Sequence, residues 1–115
     1  MAYTDLFVAP INATRKEDYA AFCQTTQRMI LDAGAIACSD FWADDVPDGK
    51  LTSLPLAVKL EEGEVVTMGW ITWPDKATRD AAWAKMMEEG AHMEMPFDGK
   101  RMIHGGFVPL VETSA

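Results

Sequence analysis

Long apolar runs are missing from this 115-residue sequence, and so are most of the signatures by which a chain declares a reaction. No apolar stretch approaches the roughly 18 residues that a membrane-spanning helix requires, so none is expected. The opening MAYTDLFVAP lacks a basic segment followed by an apolar core and is not expected to act as a secretory signal. Only 2 cysteines are present, Cys23 and Cys38, well separated and each inside a periodic apolar segment. Without a Cys-x-x-Cys pair neither a zinc site nor a redox motif has support, and two reduced thiols in a cytoplasmic protein are expected. Cations are scarce: 10 lysines and arginines face 18 aspartates and glutamates, for a net charge of -8. Such a field repels polyanions, and Lys85, Lys100 and Arg101 form no basic stripe, so nucleic acid is disfavoured as a partner. There is no glycine-rich dinucleotide turn, and spacing alone assembles no Ser/His/Asp or Cys/His constellation. Neither a cofactor nor a metal is expected.

The length suits one domain over residues 1–115. YTDLFVA (3–9) alternates like a strand. TRKE follows as a capping box, with Thr14 as the cap and Glu17 reaching back. Tyr19, Phe22, Cys23, Thr26, Met29, Ile30 and Ala33 then recur at helical spacing, and Gly34 is the expected stop. AIACSDFWA (35–43) predicts a second strand, ended by the Pro47-Asp48-Gly49 turn. SLPLAVKL, in the segment 51–60, reads as an extra strand demoted to an edge by Pro55. EVVTMGWITW (64–73) is a further strand. A second helix runs to about Gly90, capped by Asp75, with Ala82, Trp83, Met86 and Met87 facing inward. RMIHGGFVPLV (101–111) closes the chain as a strand. This order predicts an α+β fold, the ferredoxin-like split β-α-β unit with both helices on one face of an antiparallel sheet.

One strand then carries an implication for assembly. In EVVTMGWITW, Val66, Met68 and Trp70 share one face while Val65, Ile71 and Trp73 share the other. A sheet wet on one side should alternate between apolar and polar. Two helices cover a single face, so a second copy of the chain is the expected cover for the other. The alternative is that residues 51–60 fold across it.

The stretch MPFDGKRMIHGGF (95–107) reads most simply as an Asp-Gly turn followed by a kinked strand. It fails as a phosphate loop: Arg101 stands where serine or threonine is needed, Gly90 is too far back, and no helix follows. A pocket reading also exists, because the first and last strands should be neighbours. Asp5, among apolar residues in a central strand, needs a partner, and His104 or Arg101 is the natural one. Asp5 and His104 are therefore the candidate acid–base pair. Tyr3, Asp5, Trp42, Trp70, Arg101 and His104 are the candidate ligand-binding residues. His92 is expected at the surface. Trp42, Trp70, Trp73 and Trp83 are expected in the core and at a dimer contact. Met86, Met87, Met93, Met95 and Met102 fill gaps as readily as they line a binding surface.

WADDVPDGKLT (42–52), RDAAWAKMM (79–87), MPFDGKRM and GGF, with YTDLFV and GWITWP, resemble the YbaA-like bacterial family of unknown function over nearly the whole chain. The resemblance implies a dimeric α/β barrel, two ferredoxin-like units paired sheet to sheet. It implies the company of cofactor-free monooxygenases, muconolactone-isomerase-like enzymes and haem-handling proteins, and it transfers no catalytic residue. In that family's pattern tyrosine can stand where His104 stands here. Three functional expectations follow: a homodimer binding a small apolar or aromatic molecule, a cofactor-free oxygenase- or isomerase-like enzyme, or a protein-interaction module.

Overall fold

EVVTMGWITW, the stretch apolar on both sides, lies inside the sheet with a strand on each flank. The computed structural model describes residues 2–90 and 94–115. Its elements are β1 (Tyr3–Asn12), α1 (Lys16–Asp32), β2 (Ala37–Trp42), α2 (Leu54–Ala57), β3 (Glu64–Trp73), α3 (Lys76–Gly90) and β4 (Ile103–Phe107). The strands form one antiparallel sheet in the order β2-β3-β1-β4. With the helices this is the ferredoxin-like α+β arrangement. β1 extends through Pro10, which has no N–H to give. β4 pairs only with Thr4–Val8, so beyond Val8 no strand on that side asks for one.

Local signals set the ends of the helices, with one correction. The chain makes a 3₁₀ turn at Ala13–Arg15 before α1, and the Asn12 side chain caps it by accepting from the Thr14 amide at 2.9 Å. Thr14 is therefore not the cap, since the turn ahead of the helix puts the unpaired amides within reach of Asn12. Gly34 follows α1 at φ 115, a left-handed conformation that suits glycine. Asp75 caps α3, accepting from the Thr78 amide at 2.7 Å.

The pleat divides the strands cleanly. Tyr3, Asp5, Phe7 and Ile11 of β1 share the helix face with Val65, Ile71 and Trp73 of β3 and Cys38 and Trp42 of β2. One end of this layer joins Ile30, Ala82, Trp83 and Met86 to Ile71 and the fully buried Trp73. The other joins Tyr19, Phe22 and Cys23 to Ile11, Trp42 and Phe97. Met87 is 75% exposed, so of the four apolar α3 residues expected to face inward, Ala82, Trp83 and Met86 do.

The segment 51–60 is not a strand. Ser53 caps a single helical turn, with Pro55 in its first positions, and the chain then lays Val58 across the sheet's second face. Val58 is 0% exposed and packs with Val8 and Val66, flanked by Leu60 and Met68. Proline favours a first helical turn as readily as it disfavours a central strand. The cover ends there. Leu6, Phe41, Trp70, Ile103 and Phe107 of the same face remain 36–58% exposed.

Candidate functional site

Two polar centres lie on the helix face, and they differ in one respect: whether their carboxylate is spoken for. The first is Asp5, 6% exposed near the start of β1. Its oxygens accept from Arg79 Nη2 at 2.8 Å and Nε at 3.1 Å, from Trp73 Nε1 at 2.9 Å and from Trp83 Nε1 at 2.8 Å. Arg79 lies 5.2 Å from the centre of the Tyr3 ring, and it also pairs with Asp80. The Tyr3 phenol fits because Gly106 has no side chain: a Cβ there would clash with its hydroxyl and ring. The burial cost of the Asp5 charge is thus offset by a forked guanidinium and two indoles. Every part of this centre serves to bind α3 to the sheet.

The second centre lines a cleft of about 250 Å³ between α1 and the edge strand β2. Tyr19, Cys23 and Gln27 recur on one stripe of α1, where residues three and four apart share a face. Asp40 and Trp42, two residues apart, project from β2 toward them. Asp40 packs over Gly69 of β3, where a Cβ would lie 2.7 Å from Asp40 Oδ1 and 2.5 Å from Phe7 Cζ. Asp40 Oδ2 accepts from Gln27 Nε2 at 2.8 Å. At the mouth the Lys16 ammonium stands 5.6 Å from the centre of the Trp42 ring. Burial pushes the Tyr19 hydroxyl well above the usual phenol range. Burial first, and the Asp40 charge second, push the Cys23 thiol up to about 12. Both groups are protonated at neutral pH, so they offer hydrogen bonds and do not act as nucleophiles.

The residues singled out from sequence do not converge. Asp5 takes Arg79 as its partner, not His104 or Arg101. His104 lies opposite Phe7 on β4 and is exposed, with no side-chain hydrogen bond among the described residues. Arg101 reaches Glu64, whose partner Asn12 is seven residues along β1 from Asp5, roughly 24 Å at about 3.4 Å per residue. There it forks onto Glu64 at 2.7 and 2.8 Å and also meets Glu61 and Asp98. Trp70 lies on the second face, its ring centre 4.8 Å from that of Phe41. Trp42 alone of the six lines the cleft. His92 and Met93 fall outside the described residues. Gly105-Gly106 makes no bulge, since the β1–β4 register is continuous. Arg79 and Asp40 were missed: one is a helix residue 74 positions from its partner, the other an aspartate in a strand ending at a turn. Only the Asp40-x-Trp42 alternation could have pointed to the cleft.

The fold defines a class, the ferredoxin-like α+β proteins, and solved structures agree. The chain matches a dimeric ferredoxin-like protein from an uncultured marine organism with a TM-score of 0.65, covering 97% of this chain and 98% of that one at 10% identity. It matches SnoaB, a cofactor-independent oxygenase from Streptomyces nogalater, with a TM-score of 0.63, covering 96% and 95% at 10% identity. Within that class the chain belongs to the DUF1428 family, described as a protein of unknown function, whose pattern matches residues 2–99. It is 43% identical to the uncharacterized protein YbaA of Escherichia coli K12 over 97% of this chain and 99% of that one, and equally similar to YbaA of Shigella flexneri.

Proposed function

We propose that this protein is a cytoplasmic homodimer that binds a small organic molecule in the sheet-lined cleft between α1 and β2. The observation that carries this reading is the unequal cover of the two sheet faces. The helix face is closed by α1 and α3 yet keeps a cleft of about 250 Å³ at its edge, lined in part by Gln24, Gln27 and Asp40. That volume, just below the range of about 300–1,000 Å³ for drug-sized ligand pockets, limits any ligand to a small molecule. The second face keeps apolar side chains in water, as a surface reserved for another chain does. A dimeric relative of the same fold and two free thiols are consistent with this reading.

The oxygenase in the same fold class makes enzymatic turnover the alternative. That chemistry asks for a base; Asp5 is fully engaged and the cleft's phenol and thiol are held protonated, which leaves Asp40, hydrogen-bonded to Gln27, as the one carboxylate of the cleft. Binding is the reading this arrangement favours. Two measurements test it. Sedimentation should show a dimer that Trp70→Glu converts to a folded monomer; a wild-type monomer at micromolar concentration would remove the dimer. A thermal-shift screen of small aromatic and aliphatic compounds should yield stabilisers whose effect Ala20→Phe, which fills the cleft from an exposed helix position, abolishes. Stabilisers indifferent to Ala20→Phe would place binding elsewhere.

A further inference from the structure

Among the described residues, Asp5, Asp40 and Glu64 are the only carboxylates that are buried or partly buried rather than exposed. The chain treats them differently. Asp5 is paired with Arg79, and Glu64 with Arg101. Asp40 has two neutral donors, the Gln27 amide and the Cys23 thiol, and among the described residues no ion pair, although it too is drawn back from solvent. A half-buried carboxylate without a counter-ion is the costlier arrangement, and the fold has supplied an arginine in both other cases. The remaining walls are aromatic. Tyr19 and Trp42 have their ring centres 6.2 Å apart, and about 7 Å of strand separates Asp40 from Trp42 at about 3.4 Å per residue. One cation already uses this wall: the Lys16 ammonium, from an exposed position in the first turn of α1, lies near the Trp42 face instead of wholly in water.

We infer that the ligand of the α1–β2 cleft is a small organic cation, an amine whose ammonium replaces the missing counter-ion of Asp40. Its apolar or aromatic body lies along Tyr19 and Trp42. The side-chain carbonyls of Gln24 and Gln27, both on the cleft wall, accept from the ammonium N–H groups that Asp40 leaves free. Lys16 is then a tethered competitor that a diffusible amine displaces from the aromatic wall. This inference rests on the cleft being a ligand site.

The test uses three probes of matched size, 2-phenylethylamine, 2-phenylethanol and 3-phenylpropanoate, titrated into the full chain by ¹⁵N NMR with the Trp42 indole and Gln27 amide signals assigned. The amine should bind at least about tenfold more tightly than the alcohol, with the carboxylate weakest, and perturb those two signals. Asp40→Asn should bring the amine down to the level of the alcohol and leave the alcohol unchanged. Lys16→Met, at an exposed position that does not threaten folding, should tighten the amine several-fold. Equal binding of amine and alcohol, tighter binding of the carboxylate, or an amine affinity insensitive to both substitutions overturns the cation assignment while leaving the cleft a ligand site. Failure of all three probes to move either signal overturns both.

Discussion

Removing the Arg79 guanidinium is the sharpest test of how α3 is held. Arg79→Met strands the Asp5 carboxylate, whose side chain is 8% exposed, with two indole donors and no positive charge. Breaking a buried pair from one side costs about 3–5 kcal/mol. The Arg79 side chain is itself 21% exposed, so water recovers part of that loss, and roughly 3 kcal/mol is the expected figure. That is a large share of the ~5–15 kcal/mol available to a domain of this kind. Asp5→Asn alone turns one amide hydrogen face toward the guanidinium and should also destabilise. In the double variant the two losses should not add. The asparagine oxygen can accept from both Trp73 and Trp83, and its NH₂ faces space the guanidinium has left. A favourable coupling of at least about 1.5 kcal/mol is expected between the two sites. Urea unfolding followed by tryptophan emission measures all four corners of the cycle, with Trp73 and Trp83 inside the perturbed region. A cost for Arg79→Met below about 1 kcal/mol, or single effects that add within about 0.5 kcal/mol, would refute the claim that this pair anchors the helix.

Gly106→Ala should lower stability by about 1–2 kcal/mol, because its methyl displaces the Tyr3 ring from the Arg79 guanidinium. Gly105→Ala, whose new methyl would find Phe107 at 3.4 Å, should be close to neutral, and equal midpoints for the two would count against this reading. Val58→Ala should cost about 1.5–2.5 kcal/mol in chemical denaturation, two methyl groups' worth of burial plus the cavity they leave; a cost near zero would mean the 54–60 segment is only loosely docked. The hydrogen-bonded Arg101 holds the Glu64 carboxyl below the usual glutamate range. Its folded value is depressed, so the Glu64 contribution is complete above roughly pH 4.3 and is lost as pH falls through the lower folded value. Glu64→Gln should therefore flatten the acid limb of the stability–pH curve, and an unchanged limb would contradict the assignment.

What was legible in the sequence followed the range of the interactions that decide it. Strand and helix order came from periodicities a few residues long, and Gly34 and Asp75 act within one turn of the elements they bound. The double-faced EVVTMGWITW was readable because burial on both sides removes the polar half of the alternation. The 51–60 segment was misread because Leu, Val and Leu suit a strand as well as one turn of helix with an apolar tail, and Pro55 permits either reading. The polar partnerships were out of reach. Whether Asp5 meets His104, Arg101 or Arg79 depends on where α3 crosses the sheet, and nothing in the strand sequences fixes that crossing. A proximity argument along neighbouring strands favoured His104, but a β4 side chain opposite Phe7 does not reach a carboxylate that turns toward the helix.

The two sheet faces are separate surfaces on the same four strands, and that constrains how assembly and binding can communicate. α2 and Val58 close one end of the second face, so the apolar area left on the strands shrinks to Leu6, Phe41, Trp70, Ile103 and Phe107. At roughly 200 Å² per large side chain and these exposures, that is on the order of 400 Å². A stable interface takes about 800 Å² from each partner. A second copy seated on the sheet must therefore also engage apolar side chains beyond the strands, and Leu51, Leu110 and Val111, 82–96% exposed, are available. The cleft lies on the opposite face and stays open in such a pair. β2 is the element the two surfaces share, with Phe41 turned to the apolar face and Asp40 and Trp42 turned to the cleft. Because β2 is an edge strand, hydrogen-bonded on one side only, it has more freedom to shift than β1 or β3. If the cleft binds a ligand as proposed, β2 is the element through which that ligand can reach the Phe41–Trp70 contact of the other face.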